Sequence, residues 1–149
     1  MIKNNRKGFT ITELVIVIAV IAILAAVLIP TFSGIIDKAN DSAMDQEVRA
    51  ALTTFLAEKN AQVPANTYFV YKNGNTTTYF KYENGKLNEY TGTLPTYDTN
   101  DEVYAKQAAA DIIKNDDAVI TIGTESGQAK GKVLTDLSAN VEILVDNAD

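Results

Sequence analysis

The stretch Lys7-Gly8-Phe9-Thr10-Ile11-Thr12-Glu13, followed by an uninterrupted apolar run from Leu14 to Ile29, decides the architecture of this 149-residue chain. Sixteen apolar residues form a helix about 24 Å long, and residues 9–13 extend it towards the roughly 30 Å of a membrane's hydrocarbon core. The first eight residues carry three basic side chains and no acid. Because flanks rich in Lys and Arg stay cytoplasmic, we expect this leader inside the cell and the rest of the chain outside.

A secretory signal peptide and a plain membrane anchor are two other interpretations of this segment. A signal-peptide cut after Ala25 or Ala26 would place Ile23 or Leu24 where the cleavage site requires a small residue. A plain membrane anchor explains the apolar run but does not explain why a carboxylate stands at Glu13. An ionisable residue costs about 2.5–3.5 kcal/mol at the centre of a membrane helix, so Glu13 indicates that its carboxylate has a partner.

The segment from Lys7 to Glu13, the apolar run and the following Pro30 together resemble the N-terminus of type IV pilins and the related pseudopilins. The resemblance implies that a prepilin peptidase cuts between Gly8 and Phe9 and then N-methylates Phe9. Glu13 becomes the fifth residue of the mature chain, where this family has a glutamate. Pro30 matches a proline at which many members bend or locally unwind the helix.

The resemblance also implies a function. The chain is then a structural subunit that leaves the cytoplasmic membrane and assembles with copies of itself and other pilins into a surface filament. Its further partners are the prepilin peptidase and, indirectly, an inner-membrane assembly platform and an ATPase. Two alternatives stay open: a pseudopilin of a type II secretion or DNA-uptake machine, and a membrane-tethered monomeric binding module.

Glu13 has a physical use in such a filament. Cleavage before Phe9 creates an α-amine that is largely protonated at neutral pH, and this amine can pair with Glu13 of a neighbouring subunit. A buried ion pair adds little net stability, but leaving one partner unpaired costs about 3–5 kcal/mol. We therefore expect the pair to fix the axial stagger of neighbouring subunits. The alternative is a glutamate that is merely tolerated at the membrane interface.

Beyond Pro30, apolar residues recur every three or four positions, so the pattern predicts one helix from about residue 10 to residue 60. Pro30 and Gly34 predict a bend in it. The predicted parts are a cleaved basic leader (1–8), an apolar transmembrane and filament-core helix (9–32), an amphipathic continuation of the helix (33–60) and a globular head (61–149).

The head has the pattern of a small antiparallel sheet. Asn73-Gly74 and Asn84-Gly85 separate three runs of β-type residues, which predicts a three-stranded meander over residues 67–91. With the long bent helix packed on this sheet, the predicted fold class is α+β. The rest of the head is predicted as a helix at 101–114, a strand at 118–123, a turn region at 124–131 and two further strands at 132–137 and 140–145.

Composition excludes several classes of function. After the leader, 10 basic and 19 acidic residues give a net charge of −9, which argues against binding nucleic acid by phosphate neutralisation. The chain contains no cysteine and no histidine, so disulfides, thiol chemistry and the commonest general base are missing. We predict no catalytic residues and no cofactor. In lacking cysteine, the chain resembles the cysteine-poor pilins of Gram-positive bacteria.

Two features of the head have a functional alternative. Asp98, Asn100 and Asp101 could supply oxygen ligands to calcium, and some pseudopilins hold calcium in a head loop. However, the glycine and distal glutamate of an EF-hand loop are misplaced, and Asp101 is equally a helix N-cap, so no metal site is predicted. The seven tyrosines could form an adhesive surface, but we predict that they pack as ordinary strand residues.

Overall fold

The computed structural model describes residues 8–106 and 119–147. Its elements confirm the α+β class. They are helix α1 (Ile11–Glu58) and strands β1 (Thr67–Asn73), β2 (Thr76–Glu83), β3 (Lys86–Tyr90), β4 (Glu102–Ala105), β5 (Val119–Ile122), β6 (Glu125–Gln128), β7 (Lys130–Val133) and β8 (Val141–Val145).

Helix α1 is continuous, as the apolar periodicity predicted, and Pro30 lies inside it. The chain divides into two compact units, residues 1–42 and residues 43–149, and α1 runs through both. The predicted bend near Pro30 stays a prediction.

Six strands form one sheet in the order β3-β2-β1-β8-β4-β7, and β5 and β6 form a separate hairpin. The predicted meander is confirmed as β1, β2 and β3. Its turns have the left-handed backbone that Asn-Gly sequences favour, with φ 58° at Gly74, 52° at Asn84 and 76° at Gly85. The sheet is mostly antiparallel, as predicted, and one pair of strands differs. Strands β4 and β7 pair parallel, because the long chain between them can return to the same end of the sheet.

The helix predicted at residues 101–114 is wrong where the structure describes it, since β4 occupies residues 102–105. Val103 and Ala105 are buried on one face of the sheet, and Tyr104 is buried on the other. This alternating burial between two neighbouring strands outweighs the helix propensity of the alanines that follow. Asp101 is accordingly no helix N-cap, and residues 107–114 lie outside the described residues.

The turn region predicted at residues 124–131 contains β6 and the start of β7. Strand β6 is polar, so its sequence has no apolar face that would indicate a strand. It is a strand because it pairs with β5, and the local sequence does not predict that pairing. The strand predicted at 118–123 is confirmed as β5.

The last two predicted strands had different outcomes. The strand predicted at residues 132–137 is only partly correct, because β7 ends at Val133. Leu134 and Leu137 are buried in the loop that follows, so their apolar character marked core rather than strand. The strand predicted at 140–145 is confirmed as β8.

The sheet has a buried core on each face. On the first face, Val48, Ala51 and Phe55 of α1 pack at helical spacing, and the ring of Phe55 meets Phe69 and Tyr104 edge-on, with centroids 6.1 and 5.0 Å away. The second face is covered by the loop after β3 and by the β5–β6 hairpin. The central strands are therefore buried on both sides.

Tyr97 fastens the β5–β6 hairpin to the second face. Its hydroxyl accepts the N–H of Ile122 at 3.0 Å, and it lies 2.6 Å from the carbonyl of Ile120 and 3.0 Å from that of Glu125, to which it can donate. A Cβ at Gly127 would lie 2.4 Å from the Tyr97 carbonyl oxygen, so only glycine allows this approach. Burial raises the pKa of the Tyr97 hydroxyl, which keeps it a neutral donor.

Glu102 joins the end of α1 to strands β4 and β7. Its carboxylate accepts hydrogen bonds from Lys59 at 2.8 Å, from Lys132 at 2.7 Å and from the Tyr104 hydroxyl. Burial by itself would raise the pKa of this carboxyl, but the hydrogen bonds from Lys132, Lys59 and Tyr104 lower it to about 2. One carboxylate thus holds two ammonium groups, and the cluster keeps a net positive charge.

We predict that the head loses stability in acid through Glu102. The pKa of Glu102 in the folded chain lies below its ordinary value of 4.5, so its contribution is complete above about pH 4.5 and is lost as the pH falls towards 2. Glu102→Gln should lower the free energy of unfolding by about 2 kcal/mol at neutral pH and should remove this part of the acid dependence. Urea unfolding of the full chain in detergent, followed by the near-ultraviolet circular dichroism of the tyrosines, measures both effects.

Glu89→Gln is the matched control, because Glu89 is exposed on the edge strand β3. It should unfold like the wild type at every pH. An unchanged acid dependence in Glu102→Gln would contradict the prediction.

Candidate functional site

The two residues predicted for processing, Gly8 and Phe9, lie in non-helical chain before the first turn of α1. Both are exposed, and the Phe9 side chain is 86% exposed. A Cβ at Gly8 would meet no atom within 4 Å, so packing in the chain does not explain a glycine there. An exposed, non-helical segment is the kind of chain that proteases cut most readily, although cleavage here stays a prediction.

Thr10 and Glu13 form a reciprocal hydrogen-bonded cap at the start of α1. The backbone N–H of Thr10 donates to the Glu13 carboxylate at 2.9 Å, and its hydroxyl donates to the same oxygen at 2.8 Å. The N–H of Glu13 in turn lies 3.2 Å from the Thr10 hydroxyl oxygen. This is the capping-box arrangement, which satisfies two N–H groups that the first turn of a helix leaves without partners. The carboxylate of Glu13 therefore has partners within its own chain.

The sequence predicted a role for Glu13 but missed Thr10. The signal was present, because Thr10-Ile11-Thr12-Glu13 has the Thr-x-x-Glu spacing of a capping box before an apolar run. The predicted helix start at about residue 10 agrees with the observed start at Ile11.

The first half of α1 exposes an apolar surface on all sides. Seventeen large apolar side chains between Phe9 and Ile36 are exposed, and Glu13 is the only charged residue in this interval. Burying each such side chain stabilises by about 1.5–3 kcal/mol relative to water. In length and composition, α1 contains a segment that can cross a membrane.

Pro30 lies inside this apolar segment without ending the helix. It lacks the N–H that would otherwise bond the carbonyl of Ala26. One residue later, the Thr31 hydroxyl donates to the carbonyl of Val27 at 2.9 Å. Hydrogen bonding of this kind weakens the regular helix locally, and the predicted role of Pro30 in assembly stays a prediction.

The three calcium candidates lie in one loop, where the carboxylates of Asp98 and Asp101 bind backbone N–H groups. Asp101 is buried, and its carboxylate accepts the N–H of Asp98 at 2.7 Å and the N–H of Asn147 at 2.6 Å. Asp98 accepts the N–H of Asn100 at 2.7 Å. In the part of the chain that the structure describes, no group of three acidic side chains is placed to hold a metal ion. The loop is organised by hydrogen bonds that tie it to the chain after β8.

The tyrosines of the head pack into the two cores. Each is buried or half-buried. Tyr71 and Tyr104 belong to the helix-facing core, and Tyr68 and Tyr97 belong to the opposite one. Tyr68 meets Tyr90 edge-on with centroids 5.3 Å apart. This packing favours the strand interpretation over an adhesive surface.

Residues 3–29 match the family described as "Prokaryotic N-terminal methylation motif". The match begins in the basic leader, includes Gly8, Phe9 and Glu13, and ends at Ile29, the last residue of the apolar run.

Several curated proteins are similar to the N-terminal part of the chain. The type IV wide pilus major component PilA4 of Thermus thermophilus is 44% identical over 65 residues, which cover 44% of this chain and 47% of that protein. The type IV major alpha-pilin of Moraxella bovis is 44% identical over 50 residues, covering 34% and 31%. The narrow pilus major component PilA5 of T. thermophilus is 41% identical over 49 residues, covering 33% and 42%. The chain thus spans less than half the length of these relatives. No solved structure gives a significant match.

We predict that the Thr10 hydroxyl holds the first turn of α1. In Thr10→Val, the N–H of Glu13 loses its acceptor, and its exchange with solvent should become about fivefold faster. Thr10→Ser keeps the hydroxyl and should exchange like the wild type. Hydrogen exchange measured by NMR on the full chain in detergent micelles tests this.

Thr12→Val is the matched control, since Thr12 is exposed in the same turn and its hydroxyl makes no hydrogen bond among the described residues. Equal exchange of Glu13 in Thr10→Val and Thr12→Val would contradict the cap.

Proposed function

Because the N-terminal segment carries the prokaryotic N-terminal methylation motif and is homologous to that of type IV pilins, we propose that this chain is the prepilin of a type IV pilus-like filament. It is a structural subunit with no catalytic task. The relatives named above are themselves major pilus components.

The observation that carries this proposal is the apolar surface of α1. From Ile11 to Ile36 the helix rises about 39 Å, which exceeds the roughly 30 Å of hydrocarbon that a perpendicular helix needs to cross. Phe32, Ile35 and Ile36 continue the exposed apolar surface beyond the run that ends at Ile29. A membrane covers the helix before assembly, and equivalent helices of neighbouring subunits cover it afterwards.

Processing removes the leader before assembly. The prepilin peptidase cuts between Gly8 and Phe9 and methylates the new N-terminus at Phe9. Support comes from the match to the methylation motif over residues 3–29 and from the exposed, non-helical chain at both residues. The leader is residues 1–8, the filament-core helix residues 9–32, its amphipathic continuation residues 33–60 and the head residues 61–149.

Glu13 then exchanges its partners. In the single chain its carboxylate is held by Thr10, so the unassembled subunit carries no unpaired carboxylate in the membrane. In the filament the amine of a neighbour's Phe9 adds an opposite charge. The exchange occurs only at the stagger that brings the two groups together, because an unpaired buried charge is costly. Pro30 gives the helix a place to bend during this packing.

The subunit has a defined sequence of locations and partners. Before assembly it is a single-pass protein of the cytoplasmic membrane, with its N-terminus in the cytoplasm and its head outside. It meets the peptidase there, and the assembly platform and ATPase act on it indirectly. Afterwards it lies in a cell-surface filament with copies of itself and other pilins.

Mass spectrometry of the N-terminal peptide, taken separately from sheared surface material and from membranes, tests the proposal. We expect a peptide that begins at methylated Phe9 in the sheared fraction. Mature chain found only in membranes would favour a pseudopilin. A leader still attached in both fractions would overturn the proposal in favour of a tethered module.

Glu13→Gln separates the charge of Glu13 from its hydrogen bonding. Glutamine also completes a capping box, so we expect normal cleavage after Gly8. Because the charge that pairs with the neighbour's amine is gone, sheared fibre should fall about tenfold or more. Quantification of sheared and membrane-bound chain measures the amount of fibre that Glu13→Gln forms. Wild-type amounts of fibre would contradict the pairing of Glu13 with a neighbour's amine.

A further inference from the structure

Several cations outside the leader are bound by acidic side chains of the same chain. Arg49 pairs with Asp45, Lys72 with Glu142 and Lys81 with Glu83, at 2.6–2.9 Å. Since the chain after the leader has a net charge of −9, copies of it repel each other unless cations lie at their contacts. The position of the remaining cations therefore bears on how copies meet.

Three lysines gather where α1 ends beside the edge strand β7, and we call Lys59, Lys130 and Lys132 the lysine patch. Lys59 and Lys132 share the carboxylate of Glu102. Lys130 lies directly opposite Glu102 in the parallel register of β4 and β7, so it projects from the same face of the sheet as Lys132. The patch carries three positive charges and Glu102 one negative charge.

Lys130 is the member of the patch that is available to a partner. It is exposed, it begins the edge strand of the sheet, and no acidic group among residues 8–106 and 119–147 pairs with it. Lysine on an edge strand also discourages uncontrolled pairing with other strands. That role needs one charge on the strand, whereas β7 places two charges about 6.6 Å apart on one face.

An acidic surface of matching spacing lies on the helix of the same chain. Asp37 and Asp41 are exposed, have no ion pair in the part of the chain that the structure describes, and are separated by one helical turn. Their backbones lie about 6 Å apart along the helix axis. Residues 33–48 carry four acids and one lysine, so this part of the helix is negative as a whole.

We propose that the lysine patch of one copy binds Asp37 and Asp41 of another copy. This inference rests on the proposed function. The two surfaces match in charge and in spacing, and among residues 8–106 and 119–147 no ion pair engages Lys130, Asp37 or Asp41. Because the two surfaces differ, the contact is heterologous, and repetition of such a contact builds an open filament rather than a closed dimer.

Charge reversal with rescue tests the contact. Lys130→Glu should reduce sheared fibre about tenfold, because like charges then face each other across the contact. Two double variants combine Lys130→Glu with Asp37→Lys or with Asp41→Lys. The double variant that reverses both charges of one contacting pair restores opposite charges there and should recover most of the fibre. Near-ultraviolet circular dichroism checks folding, and mass spectrometry of the N-terminal peptide checks cleavage.

Lys86→Glu is the matched control, since Lys86 is exposed, begins the opposite edge strand and changes the net charge equally. It should assemble like the wild type. Normal fibre from Lys130→Glu, an equal defect in Lys86→Glu, or failure of both double variants to recover fibre would overturn the contact.

Two other outcomes have separate meanings. Loss of binding to a short DNA duplex in Lys130→Glu with normal fibre would show that the patch binds nucleic acid, and the proposed contact would be wrong. Absence of the wild-type chain from sheared fibres would overturn the proposed function and this contact with it. A wild-type fibre that is indifferent to every charge reversal would overturn the contact alone.

Discussion

A helix that exposes apolar side chains on every side needs a covering other than water, and the first half of α1 is such a helix from Ile11 to Ile36. Burial of each large side chain stabilises by about 1.5–3 kcal/mol, which is the driving force for the membrane and filament contacts that we propose. Glu13, the one charge in this interval, cannot be covered by apolar groups without a partner. Thr10 supplies that partner within the chain, and we propose that the Phe9 amine of a neighbouring copy supplies a second one in a filament. The cap therefore makes the same carboxylate compatible with both surroundings.

The second half of the same helix packs against the sheet of the head. Val48, Ala51 and Phe55 cover one face of a six-stranded sheet, and the opposite face is covered by the hairpin that Tyr97 holds. The head thus has its own core on both faces of the sheet. Glu102 ties the end of the helix to the sheet edge and at the same time gathers two of the three lysines that we propose meet the next copy. The stability of the head and the proposed contact of its lysine patch with the helix of another copy are linked through this cluster.

Much of the fold could be predicted because local signals agreed with the tertiary structure. The three-stranded meander followed from two Asn-Gly turns, and the helix followed from its apolar periodicity. The failures share a cause. The alanines that follow strand β4 predict a helix there, and the polar residues of β6 predict a turn, whereas both segments are strands. Both strands exist through pairing with distant segments, and no local pattern records which segments will pair. Of the candidate site, the apolar run predicts that the Glu13 carboxylate has a partner, and the structure shows Thr10 as that partner within the chain.

The sequence by itself determined the parts of this protein that depend on neighbours along the chain: the basic leader, the apolar helix with its single carboxylate, the amphipathic continuation and the hairpin turns. These depend on composition, spacing and backbone preference, all of which act over a few residues. Only the tertiary structure decided the strand order, the parallel pairing of β4 with β7, and the burial and binding partners of the charged residues of the head. Asp101 became a buried acceptor of backbone N–H groups, and Lys130 came to lie beside Lys132 and Glu102. These placements depend on which distant segments pack together. Contacts between those segments determine burial and ion pairing, and local sequence patterns do not predict such contacts.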